Sequence, residues 1–547
     1  MAGPLVLLAL VGLIFLLLKR VGYEVRIFRQ NAATLRHIPG YRILIHPLFL
    51  VSAVLPRLSR YFNIGEQYLW RYKHDLFKQY NSDVISLVSF FPQSRTVIVC
   101  NPEAIKVIVA DRKTFAKPLG LYGPLAIYGP NVGVSEGSEY IRHRKIVASS
   151  NLLENIDQLA FTHTMRTLDS CFEDWAYKLQ KTGERHVKIE NVADLMLKMA
   201  LFVILGAAFS HVPAWDDNSP EARPGSHEIS FTEAMHGVLK NVWWRLALPK
   251  ITYKISFWRH PRDVRRAYTE FTSYLHEMVR ERREQGRAEQ QRRGMTDLLG
   301  ALVQASSTEE GKDRVKEKEA RLTDQEVMSN IYVILLAGHD TTAHTLAFTF
   351  GLLALYPKIQ EELFQSVKSV LPGPSSELTY EKVSELKLSL AVFFETLRLY
   401  PSVVMVPKYT TADTLLPVKK DATNKAESML AEKTNVAIPR NTGVLLDVPA
   451  LHYHPHFWGE DVFSFRPSRF IDDGKAGYRW PREAFMAFSQ GARQCLGQKF
   501  AQVEAVTIIS EVIRRYEVCI DPSVTKVNED VEAARRRLLD GWNGKRQ

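Results

Sequence analysis

The sequence predicts a mainly helical protein with a small β region, which places it in the α+β class. Apolar residues recur with helical spacing along most of the C-terminal two-thirds of the chain, whereas strand-like runs are few and short. No stretch rich in Pro, Gly and Ser divides the 547 residues. One large domain, with a small sheet near one edge, is therefore the simplest architecture.

The elements follow from these patterns in chain order. Two polar stretches, Ser306–Glu319 and Asp413–Thr434, are expected to be a surface loop and an insertion between strands. Helices are predicted over residues 189–209, 262–287, 295–305, 323–356, 358–370, 386–399 and 495–515. Strands are predicted at Val84–Ser89, Thr96–Cys100, Val403–Val406 and Val444–Val448.

The N-terminus has the composition of a membrane anchor. Residues Ala2–Leu18 are uncharged and mostly aliphatic, and Lys19 and Arg20 follow directly, as is typical of a cytosolic flank. A cleaved signal peptide is the alternative, but the basic start and the small-residue cleavage site that it needs are not evident. We predict a transmembrane anchor at 1–20, a membrane-proximal segment at 21–60 and a catalytic domain at 61–547, in the endoplasmic reticulum membrane and facing the cytosol.

Charge and cysteine content exclude several classes of protein. The net charge is +11, but no nucleic-acid-binding motif accompanies it, and we expect no nucleic-acid partner. Many basic residues lie in Val279–Arg293, where acids are interleaved, as on a solvated helix face. The four cysteines form no C-x-x-C pair and no zinc-like spacing. The pattern therefore indicates a reducing environment without a disulfide framework.

The segment Phe488–Gly497 carries the most informative cysteine, Cys495. Gly491 and Gly497 allow tight turns and the close approach of a flat ligand, and Arg493 places a positive charge two residues before the sulfur. Backbone N–H groups and the start of the following helix are expected to favour a thiolate there. A small buried hydrophobic cysteine is the alternative. A thiolate held in this way is suited to ligate haem iron.

A second constellation lies in the long helix predicted over 323–356. The helix opens on the capping box Thr323–Glu326 and is nearly apolar in its middle, which indicates burial. Within that buried stretch, Ala337–Thr342 contains a glycine, an acid and two hydroxyls. Local hydroxyl bonds to the preceding turn would explain either threonine singly. The whole group is better explained by a cavity that holds water and a ligand.

The third constellation is an ionic one. Glu395 and Arg398 are three residues apart, so they lie on one face of a helix, and Arg469 follows in a Pro-containing segment. A surface ion pair of this type is common and weak. One carboxylate between two guanidinium groups, however, would form a bidentate network that can survive burial.

These three constellations, in this order, resemble the cytochrome P450 family, and the resemblance extends from about residue 36 to about residue 520. The segments Ile438–Thr442 and His452–Gly459 are also similar to those of the family. The anchored N-terminus is similar to the microsomal, eukaryotic branch, and the sequence as a whole to fungal members. The resemblance implies the cytochrome P450 fold.

The resemblance also assigns roles to single residues. It implies haem b as the cofactor, with Cys495 as the axial ligand of the iron and with Phe488 and Gly491 in the same loop. Tyr140 stands where the family usually has Trp, and Lys408 where many members have Arg. Haem-propionate contacts are implied for Arg493, Arg144, Tyr140 and Lys408, a catalytic acid–alcohol pair for Asp340 and Thr341, and a structural triad for Glu395, Arg398 and Arg469.

The function implied is that of a haem-thiolate monooxygenase. NADPH would supply electrons indirectly, through an NADPH-dependent cytochrome P450 reductase, with cytochrome b5 as a second donor. Apolar segments at Leu119–Tyr128, Val242–Leu248, Ile334–Ala337 and Val403–Val406 indicate an apolar small-molecule substrate, a terpenoid or other secondary metabolite. Alternatives are a sterol, fatty-acid or xenobiotic hydroxylase, an O2-independent isomerase or dehydratase, and a non-catalytic haem-binding protein.

Overall fold

Most of the chain is a helical body with a sheet along one side. The computed structural model describes residues 2–49, 52, 61–212, 215, 227–247, 259–284, 297–306, 321–373, 375–419, 433–472, 479–524, 529 and 531–542. Leu248, most of Ser306–Glu319 and the middle of Asp413–Thr434 lie outside the described residues.

Helices form wherever the sequence offers an apolar stripe of sufficient length, and several begin at a side-chain cap. The long helix opens on the predicted capping box, in which Thr323 and Glu326 bond to each other's backbone N–H groups. The helices are α1 (Ala2–Thr34), α2 (Tyr68–Tyr72), α3 (Asp75–Lys78), α4 (Pro102–Ala110), α5 (Gly137–Val147), α6 (Ser150–Thr182), α7 (Val192–Phe209), α8 (Phe231–Lys240), α9 (Val242–Ala247), α10 (Arg259–Glu284), α11 (Leu298–Ser306), α12 (Asp324–Leu355), α13 (Pro357–Val370), α14 (Lys387–Leu399), α15 (Val448–His452), α16 (Pro455–Trp458), α17 (Gln498–Arg515) and α18 (Val531–Trp542).

The sheet joins distant parts of the chain. A six-stranded sheet has the order β1-β2-β3-β8-β5-β4, and β6 pairs with β7 alone. Strands β3 and β8 run parallel, with Thr96 opposite Gly443. This pairing brings residues that lie between Arg398 and Arg469 in the sequence against the N-terminal strands. The strands are β1 (Gly40–Ile45), β2 (Val84–Phe91), β3 (Ser94–Val99), β4 (Phe115–Ala116), β5 (Met405–Thr410), β6 (Thr414–Lys419), β7 (Lys433–Ile438) and β8 (Gly443–Asp447).

The mainly helical fold class is present, and each predicted helix and strand overlaps an observed one. The expected insertion Asp413–Thr434 is partly wrong, because β6 occupies its first residues. The largest omission is α6. The buried stripe of that helix runs through Ala160, Thr164, Leu168 and Cys171, all of which are inaccessible to solvent. Small and polar residues at buried positions weaken the apolar signal on which sequence reasoning depends. Apolar periodicity alone therefore does not predict this helix.

The N-terminal region differs from the simple partition into anchor and linker. α1 continues without a break from Ala2 to Thr34, past residue 20. Within 21–60, β1 pairs in parallel with β2, so part of the predicted linker belongs to the sheet. In the part of the chain that the structure describes, Val192–Phe209 is the helix that meets a length and hydropathy test for a membrane span, and 67% of it is buried inside the fold.

α7 crosses α12 where Gly338 lies, and this crossing fixes the position of the long helix. A Cβ at Gly338 would lie 2.1 Å from Cδ1 of Ile204, and a Cβ at Gly206 would lie 2.2 Å from Nδ1 of His163. The two glycines therefore let α7 approach α12 on one side and α6 on the other. The expectation that Gly338 faces a ligand cavity is wrong, because its missing side chain makes room for Ile204.

We expect Gly338→Ala to lower the free energy of unfolding by about 1–3 kcal/mol, as overpacking does, although Ala favours helices. Ile204→Val removes the Cδ1 atom with which the new Cβ would clash. In a protein that already carries Ile204→Val, Gly338→Ala should therefore be neutral or stabilising. Chemical denaturation of the parent, both single variants and the double variant measures the coupling. Strictly additive effects would contradict this account of the crossing.

Candidate functional site

The cysteine loop makes a tight turn before it enters α17. Gly491 has φ +71°, and a Cβ there would lie 3.2 Å from Cγ2 of Val109. Ser489 also adopts a left-handed conformation, with φ 58°. The Cys495 N–H donates to the Phe488 carbonyl at 2.9 Å and closes the loop. Positive φ values at two positions indicate a backbone that is held in place by its surroundings.

Cys495 offers an accessible sulfur. Its side chain is exposed, whereas Cys100 and Cys171 are buried. Protein atoms still enclose the thiol on most sides, and this desolvation raises its pKa, although the Gly497 backbone N–H acts in the opposite direction. The expectation that the loop by itself favours a thiolate is therefore wrong. A coordinated metal ion would remove the proton, because it is the largest local charge.

Phe488 connects the loop to α14. Its ring lies 6.5 Å from that of Phe393 and 6.3 Å from that of Phe394, measured between ring centroids. Both partners precede Glu395 on the same helix. The cysteine loop and the ionic group therefore share one packing layer.

Glu395 lies between two arginines in a fully buried ionic group. Arg398 donates to it from Nε at 2.7 Å and from Nη2 at 2.9 Å. The Arg469 Nε atom lies 3.4 Å from the Glu395 carboxylate, and the Arg466 backbone N–H donates to it at 3.0 Å. The sequence prediction of a carboxylate between two guanidinium groups thus matches the contacts observed.

His452 links this ionic group to the cysteine loop, a role that its place in the family-like segment His452–Gly459 does not predict. Arg398 Nη1 donates to the His452 carbonyl at 2.9 Å, and the Met486 N–H donates to His452 Nε2 at 2.9 Å. Burial, with Arg398 as a second cause, lowers the pKa of His452 to about 3, so the ring is neutral and Nε2 can accept. Its contribution to stability is complete above about pH 6.5 and is lost as the pH falls toward 3.

A cluster of cations lies beside the loop. Arg493 is 12% exposed and pairs with Glu136 at 3.1 Å through Nη2. Desolvation lowers the pKa of Lys408, and it lowers the pKa of Lys117 to about 7, while Glu136 opposes both shifts. Lys117, which sequence reasoning missed, also donates to the Gly133 carbonyl. One acid does not balance three cations, so the cluster is suited to bind anionic groups.

Tyr140 and Arg144 lie next to this cluster on α5. The Tyr140 hydroxyl donates to the Ala492 carbonyl at 2.9 Å and accepts from Arg144 Nη1 at 2.9 Å. The Arg493 Cζ atom lies 3.2 Å from the centroid of the Tyr140 ring. All the residues for which propionate contacts are predicted thus lie around the cysteine loop.

The long helix α12 has one stripe that other elements do not cover. Ala337 is exposed and Thr341 half-buried, in a helix whose other faces are mostly buried. Thr341 donates its hydroxyl to the Ala337 carbonyl at 2.7 Å. His344, a residue without an assigned role in the sequence analysis, places Nδ1 2.8 Å from the Asp340 carbonyl and 3.6 Å from its Oδ1. The acid–alcohol pair thus adjoins a second titratable group.

The predicted pocket segments divide into lining and core. The Tyr122 hydroxyl donates to the Pro407 carbonyl at 3.4 Å, which links the first segment to β5. Tyr128, in contrast, packs on Tyr332 with ring centroids 5.0 Å apart and belongs to the core. Trp244 is 50% exposed. An open cavity of about 690 Å³ beside Lys117 is lined by Leu119, Leu121 and Tyr409, and it adjoins the cation cluster rather than α12.

These residues fit a flat group that carries a metal and two carboxylates, as haem b does. Nε and Nη1 of Arg493 are buried and have no hydrogen-bond partner within the described part of the chain, so two donors remain for an acid group. Cys495 supplies a ligand that soft metals prefer.

Comparisons with known proteins agree with this geometry. The family model described as Cytochrome P450 matches residues 53–533. Cytochrome P450 monooxygenase 124 of Postia placenta is 34% identical over 94% of this chain and 92% of its own length. Secologanin synthase 2 of Catharanthus roseus is 25% identical over 88% of this chain and 81% of its own.

Solved structures show the same fold. The crystal structure of the cytochrome P450DA heme domain superposes with a TM-score of 0.64 at 20% identity, over 87% of this chain and 91% of that one. Since the family model spans most of the sequence and a relative aligns over nearly its whole length, the chain belongs to the cytochrome P450 family and is a cytochrome P450 monooxygenase.

Proposed function

We propose that this chain is a membrane-anchored monooxygenase of the endoplasmic reticulum that hydroxylates an apolar small molecule, a terpenoid or other secondary metabolite. Family membership implies a haem-iron cofactor, a redox partner and a small-molecule substrate. The observation that carries the proposal is the uncovered stripe of α12, where Thr341 and Asp340 adjoin apolar residues. Haem, when bound to Cys495, supplies the activation of O2.

On the side of the site formed by α12, the protein's own residues would deliver protons. Because the Thr341 hydroxyl donates to the Ala337 carbonyl, its oxygen is free to accept a hydrogen bond from a reactant on the open stripe. Asp340 and His344 are both about half exposed, so they can exchange protons with solvent. In the proposed order, protons pass from solvent through these two groups to the reactant that the Thr341 oxygen holds, and Thr341 keeps its own proton.

On the side of the site beside the cysteine loop, basic side chains would hold the haem propionates. Arg493, Lys408 and Lys117 would pair with the propionates, with Arg144 next to them. Their burial strengthens these pairs, since fewer waters compete. Glu395, Arg398 and Arg469 would act at a distance, by fixing the layer on which Phe488 packs.

The substrate class rests on apolar lining and on one relative. Ile334, Ala337 and Val403 offer no charge to a ligand, and Val403 is 48% exposed. A relative in Leptosphaeria maculans, 27% identical, is named a Phomenoic acid biosynthesis cluster cytochrome P450 monooxygenase. That name supports secondary metabolism for the relative, and by analogy for this chain.

The cellular location and the source of electrons are proposed from side chains exposed on α1 and near the cysteine loop. The side chains of Leu13, Phe15 and Leu18 on α1 are more than half exposed, and Lys19 and Arg20 follow them. An exposed apolar helix with basic residues at one end supports anchoring with the catalytic domain in the cytosol. NADPH-cytochrome P450 reductase, with cytochrome b5 as a second donor, would then reach the cysteine-loop side, where Lys499 is exposed.

The experiment combines the full chain with the reductase in membranes, NADPH and ¹⁸O2. Panels of terpene hydrocarbons, sterols and fatty acids serve as substrates. We expect one ¹⁸O atom per terpenoid product, and NADPH consumption that depends on the reductase. Turnover of the sterol or fatty-acid panel alone would reassign the substrate class. Product without O2 would indicate an isomerase, and bound haem without NADPH consumption a sensor.

Thr341→Ala should uncouple NADPH consumption from product. Coupling should fall about tenfold or more, because general acid–base groups typically contribute about 10²–10⁴-fold. Hydrogen peroxide should rise to account for the electrons. Thr341→Ser keeps the hydroxyl and is the matched control, so its coupling should stay near that of the parent. Unchanged coupling in the alanine variant would show that Thr341 does not handle protons.

A further inference from the structure

Tyr140 is more tightly bound to the cysteine loop than its expected role requires. It is 4% exposed. A phenol has one proton, and Tyr140 gives that proton to the Ala492 carbonyl at 2.9 Å while its oxygen accepts from Arg144. A residue that donates to a propionate would need that proton for the acid group. The hydrogen bond observed goes to the protein instead.

The carbonyl that Tyr140 holds belongs to the turn directly before the haem ligand. Ala492 lies in the single 3-10 turn Gly491–Arg493, which has no side-chain cap at its start. Within the loop, the turn is closed by backbone bonds from Gln494 to Gly491 at 3.0 Å and from Cys495 to Phe488. The Tyr140 bond is the one that ties the Ala492 carbonyl to a different element, α5.

The same residue also supports Arg493. The Arg493 Cζ atom lies over the phenol ring, 3.2 Å from its centroid, and Glu136, one helical turn before Tyr140, holds Nη2 of Arg493 at 3.1 Å. Cation–aromatic contacts of this kind are worth more where solvent is excluded. With one nitrogen paired and one face covered, the remaining Nε and Nη1 atoms are buried and free to donate.

We propose that Tyr140 is a positioning residue that clamps the turn preceding Cys495 to α5 and orients Arg493, and that it is not a propionate donor. The proposal rests on the proposed haem ligation by Cys495. It distinguishes this chain from relatives with Trp at this position, because an indole places its N–H differently from a phenol O–H.

The test compares Tyr140→Phe and Tyr140→Trp in the full-length haem-loaded protein. Hydrogen exchange of the peptide that covers residues 488–497 should become faster in both variants, because both lose the bond to Ala492. Transfer of haem to an apomyoglobin acceptor should be about three- to tenfold faster for Tyr140→Phe, the size expected from one lost hydrogen bond. Neither readout depends on turnover.

Tyr128→Phe is the matched control, because it removes a partly buried hydroxyl that contacts Thr272, away from the loop. It should change neither readout. If exchange over 488–497 is unchanged in both Tyr140 variants, the clamp does not exist, and faster haem transfer in Tyr140→Phe alone would then restore the propionate role. If the parent itself binds no haem through Cys495, the proposed function has failed and not this inference. Since either Tyr140 variant reports on the clamp, the loss of one variant to misfolding does not prevent the test.

Discussion

Cys495→Ser is expected to abolish the strongly red-shifted Soret band of the reduced, carbon monoxide-bound protein. Serine keeps the size of the side chain, but its oxygen is a harder donor than sulfur, and a hydroxyl loses its proton far less readily than a thiol does. Haem should be lost, or should remain with a spectrum that indicates another ligand. The measurement is a difference spectrum on membranes that express the full chain, with protein amount determined by immunoblot.

Cys519→Ser provides the matched control for that spectrum. Cys519 is the other exposed cysteine in this chain, and it follows α17 rather than preceding it. Its substitution should leave both the band position and the haem content unchanged. A red-shifted band that survives in Cys495→Ser would mean that Cys495 is not the ligand, and the roles assigned to its loop would have to be withdrawn.

The parts of the fold that the sequence predicts are those with strong local signals. α12 has both a capping box and a long apolar middle, so its start was predicted to within a residue. α6 has neither, since Thr164 and Cys171 occupy its buried stripe. β1 lies in a segment that carries mixed signals, and its strand character depends on pairing with β2. Local patterns therefore indicate most elements but not those that tertiary contacts select.

The same distinction applies to the candidate site. Cys495, Glu395 and Arg398 belong to motifs of fixed spacing, so they could be found from the sequence. The bond from Met486 to His452, 34 positions apart, and the bond from Lys117 to Gly133, 16 positions apart, could not be found in this way, because only the fold brings these residues together. Protonation was likewise misjudged for Cys495, because charge spacing along a sequence does not show how far the folded chain desolvates a thiol.

The ionic group explains why the loop can be preorganised at all. Glu395 and Arg398 are both inaccessible to solvent, and Arg398 also donates to the carbonyls of His452 and Val462 at 2.9 Å. His452 in turn accepts from Met486, two residues before Phe488. A charged centre thus fixes three backbone segments at once. Apolar packing alone would leave those carbonyls without donors.

Glu395→Gln is accordingly expected to be among the most destabilising single substitutions in the chain. Gln has nearly the same shape, but it leaves Arg398 without a counter-charge in a buried site, whereas Arg469 keeps its ion pair with Asp461 at 2.7 Å. Removal of one partner from a buried pair costs about 3–5 kcal/mol, which is a large part of the net stability of a typical domain. We expect little haem-loaded protein to accumulate, and the remainder to unfold at a clearly lower denaturant concentration.

The decisive comparison is with Asp174→Asn, which breaks a surface ion pair of similar length. Asp174 lies 2.7 Å from Lys178, whose side chain is 56% exposed, so its loss should change stability by less than about 1 kcal/mol. Burial, and not the presence of an ion pair, is therefore the variable under test. Equal effects of the two substitutions would show that the Glu395 group stabilises the cysteine loop no more than a surface contact does. If the ionic group holds the loop in place, we expect a large effect of Glu395→Gln alone. The red-shifted Soret band of that variant should then be lost at a lower denaturant concentration than the one that unfolds the whole protein.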